Sequence, residues 1–245
     1  MSKIFFNGSI IDADASLISH KDCGFTTGIG VFDSMLSIDG ELQNGKEHFA
    51  RLNHDANIVI GLSPTLNFEE FKEICKTLMQ ENKCDKGFAR IRSTVTGGIV
   101  NNPLGKAESP TILIDVTPCP APNTNPITVA VIEDFPRVSG CVFENCKRLD
   151  YSRSYAARRK AESLGAQEAL LTNTDGNIAC GATSNIFIEE NGILITPPLS
   201  DGVLAGVTRL KLIQEGSVKE ESISIERLRA AGKAFLTNSF FGLRL

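Results

Sequence analysis

The sequence predicts an α+β fold built as two domains. Segments with strand-like alternation and tight turns precede segments with helical spacing, and this order occurs twice along the 245 residues. Residues 118–126 carry four prolines, which favour a stiff, extended tether. We therefore predict an N-terminal α+β domain over residues 1–117, an interdomain linker over residues 118–126 and a C-terminal α+β domain over residues 127–245.

The first domain begins with hairpins. Asn7-Gly8 and Asp39-Gly40 each separate two apolar stretches, and such dipeptides supply the positive φ angles of a two-residue turn. Further strands are predicted over residues 89–96 and 111–116. In the first of these, alternation places Arg90, Arg92 and Thr94 on one face of the strand.

Periodicity defines the remaining elements. Apolar residues recur at helical spacing over residues 46–62 and 67–82, which predicts two helices there, and further helices are predicted over residues 152–164, 208–214 and 224–231. Short apolar runs between turn residues predict strands in the second domain over residues 127–133, 169–172, 186–189, 193–195 and 234–237.

The composition is that of an ordinary soluble globular protein. A net charge of -4, without a long basic stripe, argues against nucleic acid or an anionic membrane as a partner. No run approaches the roughly 18 apolar residues that a membrane span requires. Seven scattered cysteines and no apolar signal segment are typical of reduced thiols in a cytoplasmic protein. With three histidines and no Cys–His cluster, no metal site is expected.

Lys147 is the candidate catalytic residue. It lies directly after a stretch predicted as a strand end and shortly before the helix predicted over residues 152–164. A lysine is normally a solvated surface charge, but its amine becomes a nucleophile that forms Schiff bases where a pocket lowers its pKa. The residue type alone leaves both interpretations open, so the decision depends on the other motifs.

Seven short blocks occur in the order found in one enzyme family. They are Gly24-Phe25, Gly28 to Phe32, His48 to Leu52, Lys147 to Tyr151, Ser184 to Phe187, Gly206 to Arg209 and Thr237 to Ser239. In these blocks the chain resembles the fold-type IV, or class IV aminotransferase-like, enzymes that depend on pyridoxal 5'-phosphate. That family includes branched-chain aminotransferases, D-amino acid aminotransferases and aminodeoxychorismate lyases. The resemblance implies its two-domain α+β architecture.

The resemblance implies roles for the matching residues. Lys147 would hold pyridoxal 5'-phosphate as an internal aldimine and then act as a general base. Arg51 would hold the cofactor phosphate, to which a planar five-donor guanidinium is suited, although an isolated helix arginine is usually solvated. The other cofactor-binding positions are Tyr151 at the ring oxygen, Cys180 at the ring nitrogen, Val207 and Thr208 at a helix start, and Asn238 and Ser239 beside the phosphate.

Two further residues are candidates for contact with the substrate. Arg92 could reach a substrate carboxylate from its strand, or it faces solvent as strand arginines commonly do. Thr27 occupies the position of a family tyrosine. The resemblance also implies a small-molecule amino acid or amino-chorismate substrate and a homodimer.

Departures from the family pattern fall at these same positions. Cys180 stands where the family usually has a glutamate that pairs with the pyridine nitrogen, and without a carboxylate the electron sink is shallower. Ile29 replaces an aspartate and Asp150 replaces an asparagine. The family also commonly continues beyond the point where this chain ends.

The sequence therefore predicts an aminotransferase or 4-amino-4-deoxychorismate lyase of amino acid or folate-precursor metabolism. The alternative, favoured by Cys180, Ile29 and the shorter end, is a catalytically degenerate homologue that binds the cofactor or only its phosphate. A lysine-based lyase or aldolase without a cofactor would explain Lys147 but not Arg51 or the Gly206 loop.

Overall fold

The computed structural model describes residues 2–15, 18–102, 105–216 and 218–244. The chain divides into two compact units. The first extends to Ala121 and includes Lys147–Asp150, and the second contains Pro122–Cys146 and continues from Tyr151. Each unit combines β-sheet with helices, which confirms the predicted α+β class.

Over its described residues, the first unit is a six-stranded antiparallel sheet with two long helices. Its elements are β1 (Lys3–Phe6), β2 (Ser9–Asp12), α1 (Cys23–Thr27), β3 (Gly30–Ile38), β4 (Glu41–Leu42), α2 (Gly45–Ile60), α3 (Phe68–Glu81), β5 (Phe88–Thr96) and β6 (Thr111–Pro118). The strands pair in the order β2-β1-β6-β5-β3-β4.

Local sequence signals explain where these elements begin and end. The Asn7-Gly8 and Asp39-Gly40 turns have positive φ at every residue, as the predicted hairpins require. At the start of α3, the Asn67 side chain accepts the Glu70 N–H and the Glu70 carboxylate accepts the Asn67 N–H, a capping box. The predicted helices over residues 46–62 and 67–82 are confirmed as α2 and α3.

The apolar stripe of α3 packs against the sheet. Phe71 and Leu78 of α3 are buried in one cluster with Met35 of β3 and Ile91 of β5. Met35 and Ile91 are directly opposite each other in the β3–β5 register. Alternation places Arg90 on the face opposite Ile91, as predicted for this strand, and Arg90 is exposed there.

The second unit contains two smaller sheets and the remaining helices. Its described elements are β7 (Val129–Arg137), α4 (Val142–Asn145), α5 (Ser152–Ser163), β8 (Glu168–Asn173), β9 (Ile178–Gly181), β10 (Asn185–Glu190), β11 (Ile193–Thr196), α6 (Val207–Gln214), β12 (Val218–Glu220), α7 (Ile225–Ala230), β13 (Lys233–Asn238) and β14 (Gly242–Arg244). The sheets have the orders β7-β8-β9 and β12-β11-β10-β13-β14. The helices predicted over residues 152–164, 208–214 and 224–231 are confirmed as α5, α6 and α7.

The segment around Lys147 differs from the sequence-based expectation. The stretch before it was predicted as a strand end, which is wrong: it contains the short helix α4, capped by Cys146, whose N–H donates to the Phe143 carbonyl at 3.3 Å. Lys147–Asp150 group with the first unit, whereas the sequence analysis assigned them to the C-terminal domain. The reason is an antiparallel bridge between Arg148 and Val31 of β3, which no local pattern predicts.

Besides α4, four short α-helices and β-strands in the described residues were not predicted from the sequence. They are α1, β9, β12 and β14, which have three to five residues each. An element of this length does not complete enough periods for its pattern to be detected.

None of the helices in the described part of the chain is long and apolar enough to cross a membrane. Within the same residues, no group of three or more His, Cys, Asp or Glu side chains is arranged to hold a metal ion.

Candidate active site

Lys147 is held against β3 through its own backbone. Its carbonyl accepts the Phe32 N–H at 2.9 Å, and its N–H donates to Oδ2 of Asp55 on α2 at 2.8 Å. Two residues later, the Leu149 N–H donates to the Gly30 carbonyl at 2.9 Å. Both backbone polar groups of Lys147 therefore have partners in the first unit, although the residue lies outside any helix or strand.

Glycine at position 30 makes this close approach possible. A Cβ at Gly30 would lie 2.5 Å from Cδ1 of Leu149 and 2.8 Å from the Val95 carbonyl oxygen. Any larger residue would push the lysine-bearing segment away from β3 or distort the β3–β5 pairing.

The Lys147 amine lies over an aromatic ring and among charged groups. Nζ is 4.5 Å from the centroid of the Phe32 ring, and the side chain is half-buried. Burial lowers the pKa of this amine from 10.5 to about 8; the charge of Arg51 also lowers it, and that of Asp33 opposes the shift. About a tenth of the amine is therefore neutral at pH 7, far more than for an ordinary lysine, and the neutral form is the nucleophile and the base.

A buried carboxylate anchors Arg51. Nε of Arg51 donates to Oδ2 of Asp33 at 2.8 Å, and Nδ1 of His48 lies 2.7 Å from Oδ1 of the same carboxylate. Asp33 and His48 are each 1% exposed, and the Arg51 side chain is 9% exposed. His48 and Arg51 are one turn apart on α2, so both reach the same residue of β3.

The charge of Asp33 follows from these contacts. Burial raises the pKa of its carboxyl, but the Arg51 charge and the hydrogen bonds from His48 and Arg51 lower it more, from 3.8 to about 2. The carboxylate is ionised at neutral pH, so Nδ1 of His48 carries the hydrogen and donates it. Nη2 of Arg51 lies 3.4 Å from that nitrogen, whose hydrogen is directed at Asp33. The guanidinium is thus oriented by Asp33, whose carboxylate is in turn held by His48.

Arg92 and Lys147 both contact the Phe32 ring. Its guanidinium carbon lies 3.9 Å from the ring centroid, within cation–π range. The Arg92 side chain is half-buried, whereas Arg90, two residues earlier on the same face of β5, is exposed. Of the two possibilities left open for Arg92, the structure therefore favours a place beside Lys147 over one in solvent.

In the second unit, the predicted phosphate-binding residues cluster where α6 meets β13. Oγ1 of Thr208 donates to the Asn238 carbonyl at 3.2 Å. Oδ1 of Asn238 in turn accepts the Phe240 N–H at 2.9 Å, which closes the turn that carries Ser239. Val207, the first residue of α6, is buried beside them.

The start of α6 is left open. Its N-cap residue is Gly206, and no side chain caps the helix. A Cβ at Gly206 would lie 2.0 Å from Oδ1 of Asn185, whose amide nitrogen is fixed by the Leu204 carbonyl at 2.9 Å. Among the described residues, no side chain accepts the first backbone N–H groups of α6, which is the arrangement that binds anions at helix N-termini.

The other predicted positions have less distinctive surroundings. Cys180 is buried in β9, and burial raises the pKa of its thiol, so it is neutral at physiological pH. Tyr151 is the half-buried N-cap residue of α5. Thr27 is exposed at the end of α1, where its hydroxyl donates to the Cys23 carbonyl at 2.8 Å. The roles of these three residues stay predictions.

Comparison with known proteins places this geometry in a family. The sequence matches the family model for amino-transferase class IV over residues 30–244. The chain belongs to this family. A provisionally named branched-chain-amino-acid aminotransferase of Methanocaldococcus jannaschii is 31% identical over 97% of this chain and 84% of its own length.

Two further relatives carry different activities in their names. A D-alanine aminotransferase of Staphylococcus epidermidis is 26% identical over 98% of this chain and 86% of its own length. The crystal structure of a provisionally named 4-amino-4-deoxychorismate lyase from Legionella pneumophila superposes with a TM-score of 0.87 at 26% identity, over 95% of this chain and 87% of that chain. The class IV resemblance and the fold-type IV architecture are thereby confirmed.

Class IV aminotransferases depend on pyridoxal 5'-phosphate, which confirms the predicted cofactor. The residues of the first unit fit that group, because an amine with a lowered pKa suits an aldehyde and the Arg51 fork suits a phosphate dianion. The uncapped start of α6 fits a phosphate as well. The assignment of individual residues to the cofactor, and the homodimer, stay predictions.

Three polar residues of the site, Asp33, His48 and Asp55, were not among the residues predicted from the sequence. His48 and Asp55 contact Asp33 and Lys147, respectively. A signal was available: together with Arg51 they recur at positions i, i+3 and i+7 of α2, which places three polar groups on one face beside the apolar stripe.

Proposed function

We propose that this class IV enzyme transfers the amino group of a small amino acid, with Lys147 as both the attachment point of the cofactor and the group that moves the Cα proton. The observation that carries the proposal is the half-buried Lys147 amine, with its pKa lowered to about 8, beside the anchored Arg51. Pyridoxal 5'-phosphate, when bound, supplies an aldehyde for an amine and an electron sink for the negative charge at Cα.

Lys147 has the properties that proton transfer requires. A general base works best when its pKa is close to the operating pH, because it must both accept a proton and give it back. The Lys147 amine can accept the Cα proton in its neutral form and return it as the ammonium. Its backbone is fixed at both N–H and carbonyl, so the chain supplies the positioning that such a transfer needs.

The reaction involves two anions, the cofactor phosphate and the substrate carboxylate, and we assign one to Arg51 and the other to Arg92. Arg51, oriented by Asp33, is proposed to bind the cofactor phosphate. Arg92, stacked on the same ring as Lys147, is proposed to bind the substrate carboxylate and so to place Cα near the amine.

Two alternatives remain, each with its own support. The likeness to the Legionella protein supports a lyase reaction on an aminodeoxychorismate-like substrate, in which the same Cα proton is removed before pyruvate leaves. The buried, neutral Cys180 supports a homologue that holds the cofactor without turnover, because a thiol does not replace the carboxylate that the family pattern has there.

A panel of substrates tests the proposal. The purified full-length chain with its cofactor is incubated with L- and D-amino acids and a keto acid acceptor, and separately with aminodeoxychorismate. Keto acid formation from at least one amino donor is expected, and Lys147→Ala should abolish it while Lys72→Ala, which alters an exposed lysine of α3, should not. Pyruvate release from aminodeoxychorismate alone would identify a lyase. No product from any substrate, with the cofactor bound, would identify the binding homologue.

A further inference from the structure

Asp55 is a buried carboxylate in direct contact with the backbone of Lys147. It is 2% exposed, and its Oδ2 accepts the Lys147 N–H at 2.8 Å. Its Oδ1 lies 3.1 Å from Nδ1 of His54, whose side chain is 67% exposed. A buried carboxylate is costly unless donors or positive charge compensate it. Lys147 offers a backbone donor and, on its side chain, a cation.

The position of Asp55 on α2 gives it a role parallel to that of Arg51. Residues four apart lie on the same face of a helix, so one face of α2 directs Arg51 towards Asp33 and Asp55 towards Lys147. The Lys147 carbonyl is held by Phe32 on β3. The lysine is therefore fixed by one contact from the helix and one from the sheet.

We infer that Asp55 is the positioning residue of Lys147: its buried carboxylate fixes the backbone from which the amine extends. The inference rests on the proposed role of Lys147, since positioning has a purpose only if the amine acts. Neither the family pattern nor the proposed reaction assigns a role to Asp55.

The negative charge of Asp55 also acts on the pKa of the Lys147 amine. Burial lowers the pKa of Lys147, and the negative charge of Asp55 is among the groups that oppose this shift. Asp55 therefore favours the protonated form of the amine. That ammonium is the form that returns a proton, so removal of the charge should favour the neutral amine.

Competitive acylation of the full-length chain, freed of cofactor by dialysis, tests this prediction. The rate at which Lys147 is labelled is followed by mass spectrometry as a function of pH. Asp55→Asn keeps an oxygen acceptor for the backbone N–H but removes the charge. At pH values below the midpoint of the curve of labelling rate against pH, Asp55→Asn should raise the Lys147 labelling rate about threefold. The midpoint itself should move to lower pH. Glu47→Gln, which removes an exposed carboxylate from the same helix, should leave both unchanged.

Hydrogen exchange on the unaltered chain tests whether Asp55 holds the backbone of Lys147. This measurement does not require any variant to fold. The Lys147 amide should exchange at least tenfold more slowly than an unstructured amide, because its N–H is bonded to a buried carboxylate. Asp55→Ala should remove that protection, while Asp55→Asn should retain most of it.

Two results would overturn the inference. One is a labelling midpoint that is the same in Asp55→Asn as in the unaltered chain, or that Glu47→Gln shifts equally. The other is a Lys147 amide that exchanges as fast as a solvent-exposed one. Neither measurement involves substrate, so either failure leaves the substrate panel, and with it the proposed function, to be judged separately.

Discussion

Nε of Arg51 donates to Oδ2 of Asp33 over 2.8 Å, and both side chains are nearly excluded from water. This contact ties the arginine of α2 to β3, the strand that also carries Phe32 and binds the Lys147 segment. The guanidinium and the amine of the proposed chemistry are therefore fixed to one strand of the first unit. The position of Arg51 relative to Lys147 therefore depends on Asp33, which holds the guanidinium against β3.

Asp33→Asn should destabilise the chain in a pH-dependent way. The pKa of Asp33 is lowered from 3.8 to about 2 in the folded chain. The ionised carboxylate therefore stabilises the fold fully at pH values above its pKa in the unfolded chain. This stabilisation is lost as the pH falls through its pKa in the folded chain. At neutral pH the variant should lose on the order of 2 kcal/mol of unfolding free energy.

Denaturant unfolding over a range of pH values checks this prediction. The difference between the unaltered chain and Asp33→Asn should shrink as the pH falls from about 5 towards 2. Glu47→Gln, at an exposed position of α2, is the control and should show little difference at any pH. A difference that stays constant over this range would mean that the charge of Asp33 contributes nothing.

Arg51→Lys should weaken cofactor binding without unfolding the chain. Lysine keeps a positive charge near the buried Asp33, but it loses the planar fork that bonds a phosphate through two donors. Titration of the cofactor-free chain with pyridoxal 5'-phosphate should show at least tenfold weaker binding, on the order of 1.4 kcal/mol. Arg159→Lys, at a side chain that is 65% exposed, should bind normally. Equal affinity in all three proteins would remove Arg51 from the phosphate site.

Arg92→Ala should affect the substrate more than the cofactor. If this guanidinium binds the substrate carboxylate, its loss should raise KM for the amino donor about tenfold or more, since hydrogen bonds to charged groups contribute about 1.5–3 kcal/mol. Steady-state kinetics with the donor identified by the panel provide the measurement. Arg90→Ala, on the same face of β5 but exposed, is the matched control. Similar KM values in the two variants would contradict the assignment.

Cys180→Glu should accelerate amino donor turnover if the missing carboxylate limits it. A carboxylate in place of the neutral thiol would favour protonation of the cofactor ring nitrogen and so deepen the electron sink. The rate of the half-reaction with an amino donor, followed by stopped-flow absorbance, should rise about tenfold, on the order of 1.4 kcal/mol. Cys180→Gln adds the same volume without the charge. An equal effect of both substitutions would point to packing in this buried site instead.

Most of the fold could be predicted because its signals are local. The capping residues Asn67 and Asn82 delimit α3 in the sequence, and the Asn7-Gly8 turn fixes the register of β1 with β2. Alternation along β5 separates buried Ile91 from exposed Arg90 without any knowledge of the partner strands. Each of these features depends on residues close together in the chain.

The candidate site could be predicted only in part, because its contacts are distant in sequence. Lys147 and Arg51 were predicted from the family resemblance. The hydrogen bond between Lys147 and Asp55 joins residues 92 positions apart, and that between His48 and Asp33 spans 15. No periodic pattern in the sequence indicates a pairing between residues so far apart. The bridge of Arg148 to β3, which groups the lysine segment with the first unit, is of the same kind.

The proposed chemistry requires that the Lys147 amine carry the cofactor. Full-length protein is reconstituted with pyridoxal 5'-phosphate, reduced with borohydride, digested and analysed by mass spectrometry. One pyridoxyl group per chain is expected, on Lys147, with loss of the visible absorbance on reduction and no such label in Lys147→Ala. A label on another lysine such as Lys72, or a colourless chain that stays unmodified after the cofactor is added, would contradict it.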